Sequence, residues 1–248
     1  MISLDDSLEQ LSNLKVELDK YRPMDNAKIQ EALDIEYTYE SNRIEGNTLT
    51  LQETQLVIEK GLTISGKPLR EHLEAINHKE AIEFIKDITR NNVTLTEYTL
   101  KQIHTIVLRS IDKANAGVYR NVPVLISGSR HVPPQPYLLA KLMEEYFLFY
   151  EANKDQLHPV VLAAEMHERL VTIHPFIDGN GRTSRLIMNL ILLQHGYPIA
   201  NIKGDYESRM KYYTALEKVQ TGNDMSDFIL FVVDVVTESL ERYLSILK

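Results

Sequence analysis

The sequence of 248 residues contains no cysteine, which excludes disulfide bonds and thiolate metal sites. It also lacks a run of about 18 consecutive apolar residues, so we expect no segment that spans a membrane. The opening stretch, MISLDDSLEQ, is acidic and lacks the basic start and apolar centre of a secretory signal. A cytoplasmic protein is the expectation that follows from these absences.

Positive charge is also scarce, because 27 Lys and Arg residues stand against 35 Asp and Glu residues, for a formal net charge of −8. A broad surface for nucleic acid needs an excess of basic side chains to replace phosphate counterions, so we expect no nucleic-acid partner. A pocket for a single nucleotide stays compatible with this charge, since the charge near one ligand is a local matter. Hydrophobic residues make up 44% of the chain, which is enough for a sizeable core.

Apolar residues recur mainly with the spacing of amphipathic helices, and this pattern predicts an all-α protein. Thr50 and Glu53 form a capping-box pattern for a helix that should end near Gly61. Residues 117–134, GVYRNVPVLISGSRHVPP, differ because they are rich in Val, Gly and Pro, and they predict a short β-hairpin, or flap. A long helix over residues 71–89 is also predicted. Its expected buried side consists of Leu73, Ile76, Ala81, Ile82 and Ile85.

Polar and flexible residues are concentrated in HPFIDGNGRTSR, residues 174–185, between two apolar segments that read as helices. The first turn of the second helix offers unpaired backbone N–H groups and the positive end of the helix dipole. Gly179 and Gly181 let the backbone approach a ligand closely, and such a turn suits phosphate. Arg182 and Arg185 lie three positions apart, so on a helix they share a face and can meet phosphate oxygens.

Two further residues of this stretch supply chemistry. Asp178 is an oxygen ligand at the rim of the phosphate-binding turn, which suits a Mg²⁺ ion that bridges phosphates. His174 precedes the turn, titrates near neutrality, and can take a proton from an incoming hydroxyl. The combination indicates transfer of a phosphate-linked group to an alcohol.

Each of these features has an ordinary structural explanation when it is taken alone. Gly-Asn-Gly commonly forms a turn, a histidine at a helix end often caps or packs, and paired arginines often face solvent. Their coincidence at one helix junction favours a functional site. A P-loop is excluded, because that motif needs Lys where Arg182 stands and Gly where Phe176 stands. A zinc site of the H-E-x-x-H type is also absent, because His167-Glu168 lacks the second histidine.

The segment HPFIDGNGRTSR resembles, at every defined position, the signature of the Fic family, and GVYR upstream with GYP and KYY downstream resemble further landmarks of the Fic domain. The resemblance covers roughly residues 70–220. It implies a Fic fold, a helical bundle with a short β-hairpin flap, as the core. An N-terminal helical region over 1–69 would precede this core, and a C-terminal helix over 221–248 would pack on it. The implied activity is transfer of AMP from ATP to a Ser, Thr or Tyr hydroxyl of a target protein.

The resemblance also implies a role for each matching residue. His174 would be the general base, and Asp178 would hold Mg²⁺ on the α- and β-phosphates. The flap would align the target segment beside the α-phosphate by strand addition. The phosphate-binding turn would comprise Gly179, Asn180 and Gly181, and the β- and γ-phosphates would be contacted by Arg182 and Arg185. The nucleoside would be contacted by Asn189 and Tyr212. The flap positions at the site would be Ser129, Arg130 and His131.

A second segment, SNRIEGN at residues 41–47, could be an ordinary helix end, but it resembles the inhibitory-helix motif of the same family. Its place before the core is similar to the class with an N-terminal inhibitory helix, here over about 26–46. The carboxylate of Glu45 can pair bidentately with Arg185 and so occupy the guanidinium that the γ-phosphate needs. The resemblance therefore implies an autoinhibited enzyme. The matching residues are Ser41, Glu45 and Gly46.

Several alternatives stay open at this point. In some relatives the equivalent glutamate is thought to position water for removal of AMP, so Glu45 could serve either as a brake or in both roles. A non-catalytic or toxin–antitoxin-like regulator that binds nucleotide is the alternative to an enzyme, and a Fic enzyme with another nucleotide donor is the alternative to ATP. The complete motif favours the enzyme. A homodimer is compatible with the leucine stripe over residues 4–18, and the target protein cannot be named.

Overall fold

A computed structural model describes residues 3–24, 26–222 and 224–248, and all of the regular secondary structure in this part is helical. These residues form ten α-helices and two short 3₁₀ turns, and none of them is in a β-strand. None of the helices found there has the length and apolarity needed to cross a membrane. The helices are α1 (Leu4–Tyr21), α2 (Ala27–Ile44), α3 (Leu51–Lys60), α4 (Leu69–Arg90), α5 (Glu97–Leu108), α6 (Leu139–Asn153), α7 (Pro159–Ile173), α8 (Asn180–Gln194), α9 (Tyr206–Gly222) and α10 (Ser226–Leu247), and the 3₁₀ turns are Arg22–Met24 and Pro136–Leu138.

Local signals set where several helices begin and end. The capping box at the start of α3 is confirmed, because the Thr50 hydroxyl accepts from the N–H of Glu53 at 3.2 Å and the Glu53 carboxylate accepts from the N–H of Thr50 at 2.8 Å. Gly61 follows α3 with φ 62°, a left-handed conformation that glycine adopts without steric cost. Pro159 occupies the first turn of α7, where its missing N–H leaves no helical bond unmade.

The core lies around α7 and α8, which pack closely against each other. Helix α4 covers α8 from one side and also contacts α2 and α5, while α10 packs on α7, α9 and α1. Leu11, Leu18, Tyr37 and Ile44 join the same hydrophobic cluster as the residues of α7 and α8. The N-terminal helices therefore share the core of the central helices. The boundaries at 69/70 and 220/221 stay predictions.

The β-hairpin predicted over residues 117–134 is wrong, since this stretch contains no strand. Three prolines remove backbone donors from it. The Arg120 guanidinium instead binds two carbonyls of the stretch, those of Val122 at 3.0 Å and Pro134 at 2.6 Å, and it also donates to the carbonyl of His174 at 2.8 Å. The flap is thus a coil segment anchored on a buried arginine, beside the end of α7.

The buried side of α4 is also partly different from the prediction. Ala81, Ile82 and Ile85 are fully buried as predicted, whereas Ile76 is 36% exposed. The first half of the helix buries mainly polar residues in its place, because it packs against the polar start of α8 and against α2. These residues are His72, Glu74, Asn77 and His78.

Candidate active site

The turn between α7 and α8 has an unusual backbone. His174 directly follows α7 with φ 51° and ψ 56°, a left-handed conformation that non-glycine residues seldom adopt. Gly179 then precedes α8 with φ 77°. Left-handed non-glycine residues cost free energy and tend to occur at functional sites, where the surroundings hold them in place. Hydrogen bonds hold the backbone of His174 here, because its N–H donates to the carbonyl of Leu170 at 2.9 Å and its carbonyl accepts from Arg120 at 2.8 Å.

Asn180 closes this turn with its side chain. Its Oδ1 accepts from the N–H of Phe176 at 3.0 Å, and its Nδ2 donates to the carbonyl of the same residue at 2.9 Å. The amide is buried, and each of its two polar atoms has a partner within the turn. The backbone N–H of Asn180 has no acceptor within the helix, because it lies in the first turn of α8, and it can therefore donate to an anion.

His104 of α5 packs against the turn between α7 and α8, and no sequence pattern marked it as a functional residue. Its ring stacks on Phe176 with centroids 3.6 Å apart. The N–H of Gly117 donates to Nδ1 at 2.8 Å, so Nε2 carries the ring proton and donates to the carbonyl of Asp178 at 2.9 Å. Burial lowers the pKa of His104 to about 4, so the ring is neutral at pH 7. A neutral, fixed tautomer thus connects the flap to the turn between α7 and α8.

The imidazole of His174 is oriented by its own helix. Its Nδ1 lies 3.2 Å from the carbonyl of Val171, and because a carbonyl can only accept, Nδ1 carries the proton. Nε2 consequently has the lone pair that a general base needs. Burial lowers the pKa of His174, which keeps the ring neutral at pH 7.

Asp178 has the properties of a Mg²⁺ ligand. Burial acts to raise the pKa of its carboxyl group, but Arg182, the backbone N–H of Gly179 and Arg70 outweigh this effect and lower the pKa. No group of three or more His, Asp or Glu side chains suited to a metal occurs in the described part of the chain. A single carboxylate fits Mg²⁺, which keeps several waters and is often completed by substrate phosphates. The residues present therefore fit this ion.

The carboxylate of Glu45 reaches the start of α8, as the motif SNRIEGN predicts. Its Oε1 accepts from NH2 of Arg185 at 2.7 Å, and the side chain of Arg185 is only 1% exposed. The pair is not bidentate, because Ser41, one turn earlier on α2, accepts from Nε at 3.0 Å and from NH2 at 2.8 Å. A Cβ atom at Gly181 would lie 2.5 Å from Glu45 Oε1. The carboxylate thus lies against the backbone at the start of α8.

The two residues expected to contact the nucleoside, Asn189 and Tyr212, are buried in the protein. Asn189 is fully buried, and its amide donates to the carbonyl of Ala200 at 3.1 Å and accepts from the N–H of the same residue at 2.7 Å. The hydroxyl of buried Tyr212 bonds Nε2 of His167 at 3.1 Å. Burial lowers the pKa of His167 to about 3, so this ring is neutral. These contacts give both positions a structural role, and contact with a nucleoside stays a prediction.

The three flap positions have different surroundings. Nε2 of His131 donates to the carbonyl of Thr172 at 2.8 Å, and Ser129 accepts from the N–H of His131 at 3.1 Å. These bonds hold this part of the flap beside the end of α7. Arg130 is highly exposed and pairs with Glu217 of α9 at 3.4 Å. The structure therefore brings Ser129 and His131, but not the Arg130 guanidinium, to the end of α7.

The fold and the turn define an all-α protein in which a histidine precedes a glycine-rich helix start. The model of the Fic/DOC family matches residues 94–192. Among curated proteins, Protein adenylyltransferase Fic of Drosophila virilis is 36% identical over 98% of this chain and 48% of its own length. The chain thus spans about half the length of the curated relatives it matches.

Solved structures agree with this assignment. Fic-1 from C. elegans superposes with a TM-score of 0.86 at 27% identity, over 98% of this chain and 72% of that one. A Fic domain containing signaling protein from Bacteroides thetaiotaomicron gives a TM-score of 0.81 at 30% identity, over 97% of this chain and 96% of that one. The chain belongs to the Fic family, and the resemblance carried by residues 174–185 is confirmed.

Proposed function

We propose that this protein is an adenylyltransferase that transfers AMP from ATP to a Ser, Thr or Tyr hydroxyl of a target protein, and that α2 restrains this activity. The observation that carries the proposal is the placement of a histidine with an available Nε2 directly before the glycine-rich start of α8. The relatives named Protein adenylyltransferase Fic support it. The target protein itself has no signature in this chain.

The start of α8 suits a triphosphate. Its first N–H groups point out of the helix, and the helix dipole adds positive potential at the same place. Arg182 and Arg185 add two permanent charges, and the side chains of both are almost fully buried. Asp178 would hold Mg²⁺, which when bound neutralises phosphate charge. The chain thus supplies the charges and donors for the α-, β- and γ-phosphates of ATP.

The transfer step follows from the position of His174. Nε2 takes the proton of the target hydroxyl while its oxygen attacks the α-phosphorus. The bond from the α-phosphorus to the bridging oxygen of the β-phosphate breaks, and pyrophosphate leaves with the bonding electron pair. The backbone N–H groups at the start of α8 stabilise the negative charge that develops on the α-phosphate oxygens. The products are an AMP-modified target and a protonated His174, which then returns its proton to solvent.

Inhibition follows from the Glu45 contact. The carboxylate holds Arg185 and places negative charge beside Gly181, where a phosphate oxygen would lie. ATP could still bind, but its phosphates would be displaced and its α-phosphorus misaligned for attack. Removal of AMP from a modified target, with Glu45 as the base that positions water, remains the second role to test.

The donor and the transferred group can be established with the Glu45→Gly variant. We expect a target protein, or the variant itself, to gain the mass of AMP from ATP and to carry label from α-labelled but not from γ-labelled ATP. GTP, CTP and UTP are compared in parallel. Label from the γ-phosphate would indicate a kinase. A larger signal from another nucleotide would identify that nucleotide, and not ATP, as the donor. Nucleotide binding without any label would indicate the non-catalytic regulator.

The pH dependence of transfer should reflect the environment of His174. Burial lowers the pKa of His174, and Glu45 acts to raise it, so removal of Glu45 lowers it further. The neutral base then persists to lower pH. We expect the acid limb of kcat/KM for the Glu45→Gly variant to have an apparent pKa below the usual histidine value of about 6.5. An acid limb whose half-maximal activity lies at about pH 6.5 or higher would contradict the assignment of His174 as a buried base.

A further inference from the structure

Four charged side chains form a closed ring at the rim of the phosphate-binding turn, and two of them lie outside the family motif. NH2 of Arg70 lies 2.6 Å from Oδ2 of Asp178, and its Nε lies 3.2 Å from Oε1 of Glu74. Arg182 closes the ring, with NH1 3.6 Å from Glu74 and NH2 3.4 Å from Asp178. Each charge therefore has an opposite charge on both sides.

The two oxygens of Asp178 are used differently. Oδ1 accepts from the N–H of Gly179 at 2.6 Å and from Arg182 at 3.4 Å, so the turn itself holds this oxygen. Oδ2 is bound by Arg70 at 2.6 Å. Oδ2 is consequently the oxygen that the turn leaves available for a metal ion, and Arg70 covers it.

Arg70 is also the member of the ring that can leave. Its side chain is 58% exposed, whereas that of Arg182 is 3% exposed. Glu74 is held in place by Asn47, whose Nδ2 donates to Oε2 at 3.0 Å. The guanidinium of Arg70 can therefore swing into solvent while its neighbours in the ring stay in position.

We propose that Arg70 competes with Mg²⁺ for Oδ2 of Asp178 and so keeps the nucleotide site in a metal-free form until its side chain swings out. This inference rests on the proposed function, because it assumes a Mg²⁺–nucleotide ligand. A guanidinium and a divalent cation repel each other, so binding of both to the same carboxylate oxygen is unfavourable and each weakens the binding of the other. The restraint is separate from the Glu45 contact, because it acts on Asp178 and not on Arg185.

The test compares Glu45→Gly with Glu45→Gly/Arg70→Gln by calorimetric titration with α,β-methylene-ATP, which lacks the bond that breaks in the proposed reaction. We expect the Kd measured with saturating Mg²⁺ to fall by about two- to fivefold in the double variant, as for loss of an exposed ion-pair competitor. The Kd measured with EDTA should not fall. Loss of a positive charge would by itself weaken the binding of a polyanion and raise the Kd. A lower Kd in Mg²⁺ therefore cannot result from the lost charge alone.

Arg90→Gln on the same background is the matched control, because it removes an exposed arginine from the other end of α4, and its Kd should not change. Thermal melts check that the variants are folded. A Kd in Mg²⁺ that stays constant or rises in the Arg70→Gln variant would overturn the role of Arg70, even though nucleotide still binds. Absence of nucleotide binding by every protein in both buffers would instead refute the proposed function, and this inference with it.

Discussion

Replacement of Glu45 by glycine is expected to raise AMP transfer by about 100-fold, because a misplacement of about 1 Å at the reacting centre can cost that factor. The carboxylate of Glu45 lies 2.7 Å from Arg185 and against Gly181. Its removal frees the guanidinium for the γ-phosphate and takes away negative charge from the phosphate-binding turn. Ser41 still bonds Arg185 in this variant, so the arginine stays in place.

The rate is measured as incorporation from α-labelled ATP into a target protein or into the enzyme itself. Glu31→Gly is the matched control, since it introduces the same flexible residue on an exposed face of α2 without touching Arg185. A glycine inside a helix costs about 1 kcal/mol relative to alanine, so this control reveals how much a weakened α2 contributes. Equal activation by both variants, or none by Glu45→Gly, would show that the Glu45 carboxylate is not the brake.

Replacement of His174 by alanine in the Glu45→Gly protein is expected to lower transfer by about 10²–10⁴-fold, the usual range for loss of a general base. The oriented Nε2 disappears, and the other neutral imidazole at the turn, His104, has both ring nitrogens engaged in hydrogen bonds. The start of α8 and both arginines are unchanged, so the affinity for nucleotide should stay within about twofold, because His174 makes none of the phosphate contacts. Initial rates and calorimetric Kd values are compared for the two proteins.

His195→Ala is the control for this experiment, because it removes a partly buried histidine at the opposite end of α8. Its transfer rate should remain close to that of the Glu45→Gly protein. A His174→Ala rate within a few-fold of the parent would exclude a general-base role. A parallel loss of nucleotide affinity would indicate that alanine disturbs the left-handed turn itself.

Much of the helical structure could be predicted from the sequence, since its signals act over a few residues. The capping box of Thr50 and Glu53 and the left-handed Gly61 require only neighbouring backbone groups. The motif of residues 174–185 was informative for the same reason, because a helix start, two glycines and a histidine lie on one short turn. The placement of His174 directly before the start of a helix was therefore predictable.

The remainder of the site depends on residues distant in the sequence. His104 contacts the carbonyl of Asp178, and Arg70 contacts the carboxylate of the same residue, although 74 and 108 positions separate them from it. Composition alone predicted strands where Arg120 instead binds the flap carbonyls. Helical spacing also could not show that Ile76 faces solvent.

The sequence by itself determined where helices such as α3 begin and end and which residues form the Fic motif at 174–185, because each depends on groups within one or two helical turns. Only the tertiary structure decided that Ser41 shares Arg185 with Glu45, that the flap is an anchored coil, and that Arg70 covers the carboxylate of Asp178. These contacts arise where separate helices pack against α8. Which side chains meet there is set by burial of the shared core, a property of the whole chain.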